Sequence, residues 1–282
     1  MSSIEQGCQS KNLAVIGAGT MATAIVSGLI NDGWETQRIW LPTKNPEHSA
    51  ALAEKLGTHS SDNVTAVKNA SIILVAVKPA QVSAVLDEIA DALRPGSVVI
   101  SVAVGVPIST LEAHAGPHVS VIRALPNTPA QQGCGMTVLA AGTDPSGLDT
   151  AQSIFNAVGS SVVVDESVIN AAGAVSGSGP AFIFAVAEAM IDAAVGLGIP
   201  RHLATTLTTQ TLYGSAVMAK SGHPAQLREA VTSPGGTTAA GLRQLDRGRL
   251  RTTIADAIEA STAKSDHFTR LFTSNPDENR AD

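Results

Sequence analysis

The chain has 282 residues, a 44% hydrophobic fraction that is aliphatic and small (aromatics 3%), a formal charge of −6 and a pI near 5.6. That length suits one nucleotide-binding domain plus a smaller second domain, and the composition is that of an α/β protein with closely packed helices, not a disordered chain. The acidic balance provides no broad basic field, so nucleic-acid binding is not expected.

Two cysteines, Cys8 and Cys134, have neither Cys-x-x-Cys nor His spacing. They make no disulfide framework and no metal site, which fits a reducing, cytoplasmic setting. The start Met-Ser-Ser-Ile-Glu-Gln lacks a cationic stretch followed by an apolar one, so it does not read as a secretory signal. Residues 181–199 are strongly apolar but carry Glu188 and Asp192, charges that are costly in a bilayer, so a buried helix is expected there and no membrane span.

Short apolar runs at 13–16, 39–41, 72–77, 98–102 and 119–122 alternate with helical patterns. This predicts a parallel, doubly wound sheet, extended by runs at 136–140 and 161–164. The first domain is expected over 11–165. Beyond it, 180–197, 200–221, 223–231 and 249–272 read as helices with Pro180, Pro200 and Pro224 near their starts, giving an all-helical domain over 166–273. Its first helix is apolar nearly all round, which predicts burial against other helices, those of a second subunit included, and a homodimer at minimum.

Gly17-Ala18-Gly19-Thr20-Met21-Ala22 follows the first strand and opens a helix, the context required of a dinucleotide-binding turn. The first glycine permits the tight turn, the second admits a pyrophosphate, and the small last position lets helix pack on strand. Gly17, Gly19, Thr20 and Met21 are therefore cofactor candidates. After the second strand comes Leu41-Pro42-Thr43-Lys44-Asn45 in place of the acidic residue that would accept a ribose 2′-hydroxyl. A hydroxyl, a cation and an amide suit a 2′-phosphate, so Thr43 and Lys44, with Asn45, predict NADPH as cofactor and NADH as the weaker alternative. Ala76-Val77-Lys78-Pro79 and Ser101-Val102-Ala103-Val104-Gly105 end strands where open α/β sheets meet their ligands, and small Ala103 would let a nicotinamide ring lie against the backbone.

Three further stretches are unexplained by core packing: Arg123-Ala124-Leu125-Pro126-Asn127-Thr128-Pro129, Ser176-Gly177-Ser178-Gly179-Pro180-Ala181 and Ser233-Pro234-Gly235-Gly236-Thr237-Thr238. The last two precede helices and offer free N–H and hydroxyl donors, a setting for a carboxylate.

In order and content these segments resemble the pyrroline-5-carboxylate reductase family over residues 13–265. The resemblance implies that the Gly-rich turn, the Ala-Val-Lys-Pro strand end and the Pro-Asn-Thr-Pro segment with Asn127 serve the dinucleotide. It implies substrate contacts at Ser178, Ser233, Gly236, Thr237 and Thr238, the loop reaching across from the partner subunit in an interlocked dimer; relatives also assemble rings of dimers. The reaction implied is reduction of the ring C=N of 1-pyrroline-5-carboxylate to L-proline. Its imine can be protonated by solvent, so no strong protein acid is required, and Thr238 serves the catalytic step by hydrogen-bonding the developing amine. Two departures stand out: the Leu-Pro-Thr-Lys loop replaces a polar run common in relatives, and Leu125 replaces a frequent Met.

A β-hydroxyacid dehydrogenase of similar layout is the alternative enzyme, but it would need a lysine base on the interdomain helix, and residues 178–199 contain neither Lys nor His. A dinucleotide-binding sensor without chemistry is the other alternative, disfavoured by the complete Ser-Pro-Gly-Gly-Thr-Thr loop. His114, His118 and His223 are expected to be surface or loop residues and not catalysts.

Overall fold

The structure, a computed structural model, describes residues 11–42 and 46–273. Thr43, Lys44 and Asn45, the expected 2′-phosphate contacts, lie outside the described residues, as does Cys8. The chain divides into two compact units, one comprising the chain up to Ser178 and from Ser261 onward, the other Gly179–Ala260.

The first unit is built on a seven-stranded sheet of order β2-β1-β3-β4-β5-β6-β7. Its strands are β1 (Leu13–Ile16), β2 (Ile39–Trp40), β3 (Ile72–Val75), β4 (Val98–Ser101), β5 (Ser120–Leu125), β6 (Gly135–Ala141) and β7 (Gly159–Val163). Every predicted run forms a strand. The sheet departs from the expected all-parallel arrangement at one place, where β6 runs antiparallel to β5. The reason is the connection: residues 126–134 hold only a 3-10 turn over Thr128–Gln132, too little chain for a parallel crossover.

Helices cover both faces. The alternation of side chains along each strand sends Leu13, Val15, Ile72, Leu74, Val98 and Ile100 to one face, where Ile25, Val26 and Leu29 of α1 (Thr20–Asn31) and Ile154 and Phe155 of α6 (Leu148–Asn156) pack on them. Ile73, Val75, Val99 and Val121 meet the other face, covered by α4 (Val82–Ile89), α5 (Ile108–Ala115) and Ile169 of α7 (Glu166–Ser176). Each large side chain buried here stabilises the unit by about 1.5–3 kcal/mol. Between these lie α2 (Pro46–Leu56) and α3 (Asn63–Asn69), whose N-terminus is capped by Asp62 through the Thr65 N–H and hydroxyl.

The second unit contains α8 (Gly179–Gly196), α9 (Arg201–Ala219), α10 (Pro224–Ala230), α11 (Thr237–Arg247) and the first part of α12 (Leu250–Thr273), which ends in the first unit. The predicted helices are all present, and α11 is the helix expected after the Ser233–Thr238 stretch, for which no bounds were assigned. The expected burial of the helix over 181–199 is not met within one chain: α8 has no buried residue, and Phe184 and Leu197 are 66% and 85% exposed. Packing within this unit reaches only Ala204 and Thr208 of α9. By length and composition residues 166–196 could cross a membrane, although the stretch is divided between α7 and α8 and carries Glu188 and Asp192.

The β1–α1 turn sets how closely the sheet's carboxyl edge can be built. Gly17 has φ +106°, and a Cβ there would lie 2.6 Å from the Ala76 carbonyl oxygen at the exit of β3. Only glycine adopts this conformation without strain and allows this approach. Gly17→Ala is expected to destabilise the first unit by about 1–3 kcal/mol, measured as a lowered thermal midpoint; an unchanged midpoint would contradict the close approach.

Candidate active site

The expected cofactor residues that the structure describes gather at the carboxyl ends of the parallel strands. Gly19 is the N-cap of α1, with extended backbone (φ −76°, ψ 174°) and no side chain capping the helix. The first-turn N–H groups of Thr20 and Met21 are therefore left for an anion, where the helix dipole favours negative charge. Space supports the same assignment: a Cβ at Gly19 would meet nothing within 4 Å, whereas at Gly17 it would collide with β3. This is a cradle the backbone can offer to a pyrophosphate, and the residues present fit a dinucleotide.

Around the turn, the Ala76 N–H bonds the Ile16 carbonyl at 2.8 Å, so the β3 exit runs beside it. Ala76, Val77 and Pro79 are half-buried and Lys78 is exposed at the start of a 3-10 turn. The Gly17 N–H lies 3.5 Å from the Pro42 carbonyl, which brings the β2 exit to the same edge. Buried Ala103 follows β4, its N–H directed to the Ser101 hydroxyl at 3.3 Å.

Asn127 is engaged in holding this edge together. Its Nδ2 donates to the Ser176 carbonyl at 2.9 Å and its Oδ1 accepts the Met136 N–H at 2.8 Å, so it joins the β5 exit to α7 and β6. Ser178 lines a cavity of about 440 Å3 at the exits of β4 and β5, where its hydroxyl pairs with that of Ser261 at 2.8 Å. Lys264 and Phe268 of α12 share the cavity wall, the ammonium 4.9 Å from the ring centroid.

A buried ionic network was not anticipated. Arg123, in the middle of β5, is 1% exposed, donating from Nη1 to Glu166 at 3.2 Å and from Nη2 to Asn170 at 2.7 Å. Burial lowers its pKa below the usual arginine value, opposed by the hydrogen bond and charge of Glu166 and by the charge of Asp266. A single arginine inside the run Val-Ile-Arg-Ala-Leu was the available signal, because a charge on a strand buried on both faces needs a partner. That partner, over forty residues away in the chain, has no local signature.

The Ser-Pro-Gly-Gly-Thr-Thr loop lies in the second unit. The Gly236 N–H bonds the Ser233 carbonyl at 3.0 Å across Pro234 and Gly235, the residue pattern of a type II turn, with Gly235 at φ +71°. Gly236 is the uncapped N-cap of α11, so Thr237 and Thr238 occupy its first turn. The hydroxyl side chains of Ser233, Thr237 and Thr238 are exposed, and the first-turn N–H groups of α11, like those of α1, are uncapped and follow a glycine turn.

Other candidates have ordinary roles. Asp192 pairs with Arg201 at 2.9 Å on the surface, His114 with Asp87 at 2.6 Å, and His223 accepts the Ala225 N–H at the start of α10. Among the described residues no three His, Cys, Asp or Glu side chains gather to hold a metal.

Comparison with known proteins agrees across both units. Residues 166–268 match the family model described as pyrroline-5-carboxylate reductase dimerisation, and residues 12–105 match that of the coenzyme F420-dependent NADP oxidoreductases. The chain is 36% identical to the pyrroline-5-carboxylate reductase of Mycobacterium tuberculosis, over 91% of its length and 96% of the relative's. It is 37% identical to that of Escherichia coli, over 92% and 99%. Among solved structures, the pyrroline-5-carboxylate reductase of Coxiella burnetii superposes with a TM-score of 0.87 at 38% identity, covering 92% of this chain and 99% of that one. The Plasmodium falciparum enzyme, solved with NADP bound, gives 0.81 at 29%, covering 93% and 99%. With the Gly-rich strand exit and the Ser-Pro-Gly-Gly-Thr-Thr turn both in place, the chain belongs to the pyrroline-5-carboxylate reductase family.

Proposed function

We propose that this protein reduces the C=N bond of 1-pyrroline-5-carboxylate to give L-proline, the last step of proline biosynthesis, with NADPH preferred over NADH. The observation that carries this reading is the pair of uncapped helix N-termini, at Gly19 and Gly236, each following a glycine turn and each suited to a different anion. The first suits a pyrophosphate and the second a substrate carboxylate. When bound, the nicotinamide supplies the hydride that the imine carbon accepts.

The chain's own residues bind, orient and keep out water. The Gly17–Met21 turn anchors the dinucleotide, with Ala76–Pro79 beside it, and Ala103 backs the nicotinamide face. Thr43 and Lys44 read the 2′-phosphate. Ser233, Gly236 and Thr237 hold the substrate carboxylate, and Ser178 contributes a hydroxyl to the substrate side. The Thr238 hydroxyl bonds the ring nitrogen as it becomes an amine. No side chain need serve as a strong acid, because solvent protonates the imine, and the lysine base of a hydroxyacid dehydrogenase is absent from residues 178–199.

In this reading residues 11–165 carry the dinucleotide, while 166–273 carry the substrate loop and the dimer contacts. The exposed apolar side chains of the helical unit, Ile183, Phe184, Leu207 and Tyr213 among them, are covered by a second copy of the chain and not by lipid. A ring of such dimers and a cytoplasmic location complete the proposal, with no role for nucleic acid.

The function is tested by following NADPH absorbance with pyrroline-5-carboxylate beside a panel of 2- and 3-hydroxy and keto acids. Oxidation confined to the imino acid is expected; oxidation only with keto acids, or none, refutes the reading. A hydrogen bond of about 0.5–1.5 kcal/mol makes Thr238→Ala about tenfold slower in turnover with NADPH affinity retained. Lys44→Glu should raise the KM for NADPH far more than that for NADH, and equal effects on the two would refute the assignment. Light scattering in detergent-free buffer should give a mass at least twice the 28.7 kDa of one chain; a stable monomer, or a need for detergent, would count against the dimer.

A further inference from the structure

We infer that Arg123 is a positioning residue for the substrate cavity, tying together three of its walls without touching what binds there. The inference rests on the reading that the β4–β5 edge receives the nicotinamide and the imino acid. Arg123 is not among the residues lining the 440 Å3 cavity, yet every group it holds leads to one that is.

The first wall is the loop between β4 and α5. The Glu166 oxygen that accepts Arg123 Nη1 also accepts the Ile108 N–H at 2.7 Å, the first N–H of α5. That bond fixes the end of the segment carrying Ala103, Val104 and Gly105, and Val104 faces the cavity. The second wall is α7, from which both Glu166 and Asn170 reach Arg123 and whose far end delivers Ser178. The third is α12: Asn170 accepts from Arg123 with Oδ1 and donates with Nδ2 to Asp266 at 2.8 Å and to Thr269 at 3.2 Å. Asp266 and Thr269 flank Phe268, and Ser261, Lys264 and Ser265 on the same helix line the cavity.

The walls also meet one another closely, so a shift in one is passed to the next. Gly105 has φ +84°, and a Cβ there would lie 2.7 Å from Phe268 Cβ. A guanidinium suits the central position because its fork supplies separate, fixed donors to Glu166 and Asn170, which a lysine ammonium on a flexible stem cannot reproduce. Nε is buried without an acceptor among the described residues, so the side chain has been placed for those two contacts and not for full satisfaction.

An arginine that merely staples the fold would, on removal, weaken stability, cofactor affinity and turnover together. A positioning arginine separates them, because the Gly17–Met21 turn belongs to β1, two strands away from β4 and three from β5. In the full-length oligomer, Arg123→Met is expected to lower kcat/KM for the imino acid by about 100-fold, the scale of a misplacement near 1 Å. NADPH affinity should fall far less, by about threefold at most, because in the proposed function the dinucleotide is anchored chiefly at the Gly17–Met21 turn and Ala103 contacts only its nicotinamide end. Arg123→Lys should recover only a minor part of the loss. Asn170→Ala, which severs the α12 branch while leaving Arg123 with Glu166, should raise the KM for the imino acid at unchanged NADPH affinity, and it keeps the test open if Arg123→Met does not fold. Parallel losses in NADPH affinity, stability and turnover, or kcat/KM unchanged in both variants, would overturn the inference. Should the wild type not reduce the imino acid at all, the proposed function fails separately, and hydrogen exchange then reads the walls directly. Faster exchange in Asn170→Ala confined to residues 261–269 supports the tie, and unchanged exchange refutes it.

Discussion

A guanidinium in the middle of a strand that is buried on both faces can neither reach water nor readily give up its proton. Arg123 therefore obliges the chain to bring it acceptors, and the acceptors come from segments that local pattern would never place together: the start of α7, its second turn and, through Asn170, the end of α12. Charge burial thus does here what hydrophobic packing does poorly, since it fixes direction as well as proximity. The β4–α5 loop, the Ser178 end of α7 and the cavity-lining face of α12 all inherit their places from it.

The sheet contributes the complementary constraint. Parallel strands point their carboxyl ends to one edge, and the tight Gly17 turn lets β1 and β3 leave that edge almost in contact, so the N-terminus of α1 opens onto it. In the proposed function backbone N–H groups serve as the anion site, which accounts for the residues with little side-chain chemistry, Gly17, Gly19, Ala76 and Ala103, along this edge. The helical unit works by the same economy. Its turn at Ser233–Gly236 presents another uncapped helix end, while its exposed apolar side chains are those that the proposed dimer covers.

Much of this was legible from residues alone, and for identifiable reasons. The strands announced themselves because β1, β3, β4 and β5 are buried on both sides and hence continuously apolar, and the Gly-x-Gly-x-x-Ala turn carried its mechanism in its spacing. The antiparallel β6 was not legible, because direction depends on a connection whose single 3-10 turn leaves no periodic trace. Helix α11 was legible only as the helix that follows the Ser233–Thr238 stretch, and its bounds were not, because Thr-Thr-Ala-Ala-Gly-Leu-Arg-Gln-Leu-Asp-Arg begins inside the loop motif itself. The strong apolar character of α8 was read as burial, yet within one chain its side chains are open, and in the proposed dimer a second copy covers them. Asn127, expected as a cofactor contact, was recognisable as special, but only coordinates reveal that its amide bridges α7 and β6. The Arg123 network was the least legible feature, since its members are spread from residue 108 to residue 269.

The most direct measurement of the central claim follows the hydrogen itself. NADPH carrying deuterium at the transferred position of nicotinamide C4 is oxidised in the presence of pyrroline-5-carboxylate, and the product is analysed by mass spectrometry. The account predicts L-proline one mass unit heavier, with the label on the former imine carbon. Unlabelled proline, or deuterium recovered only in water or in a hydroxy acid, would contradict it.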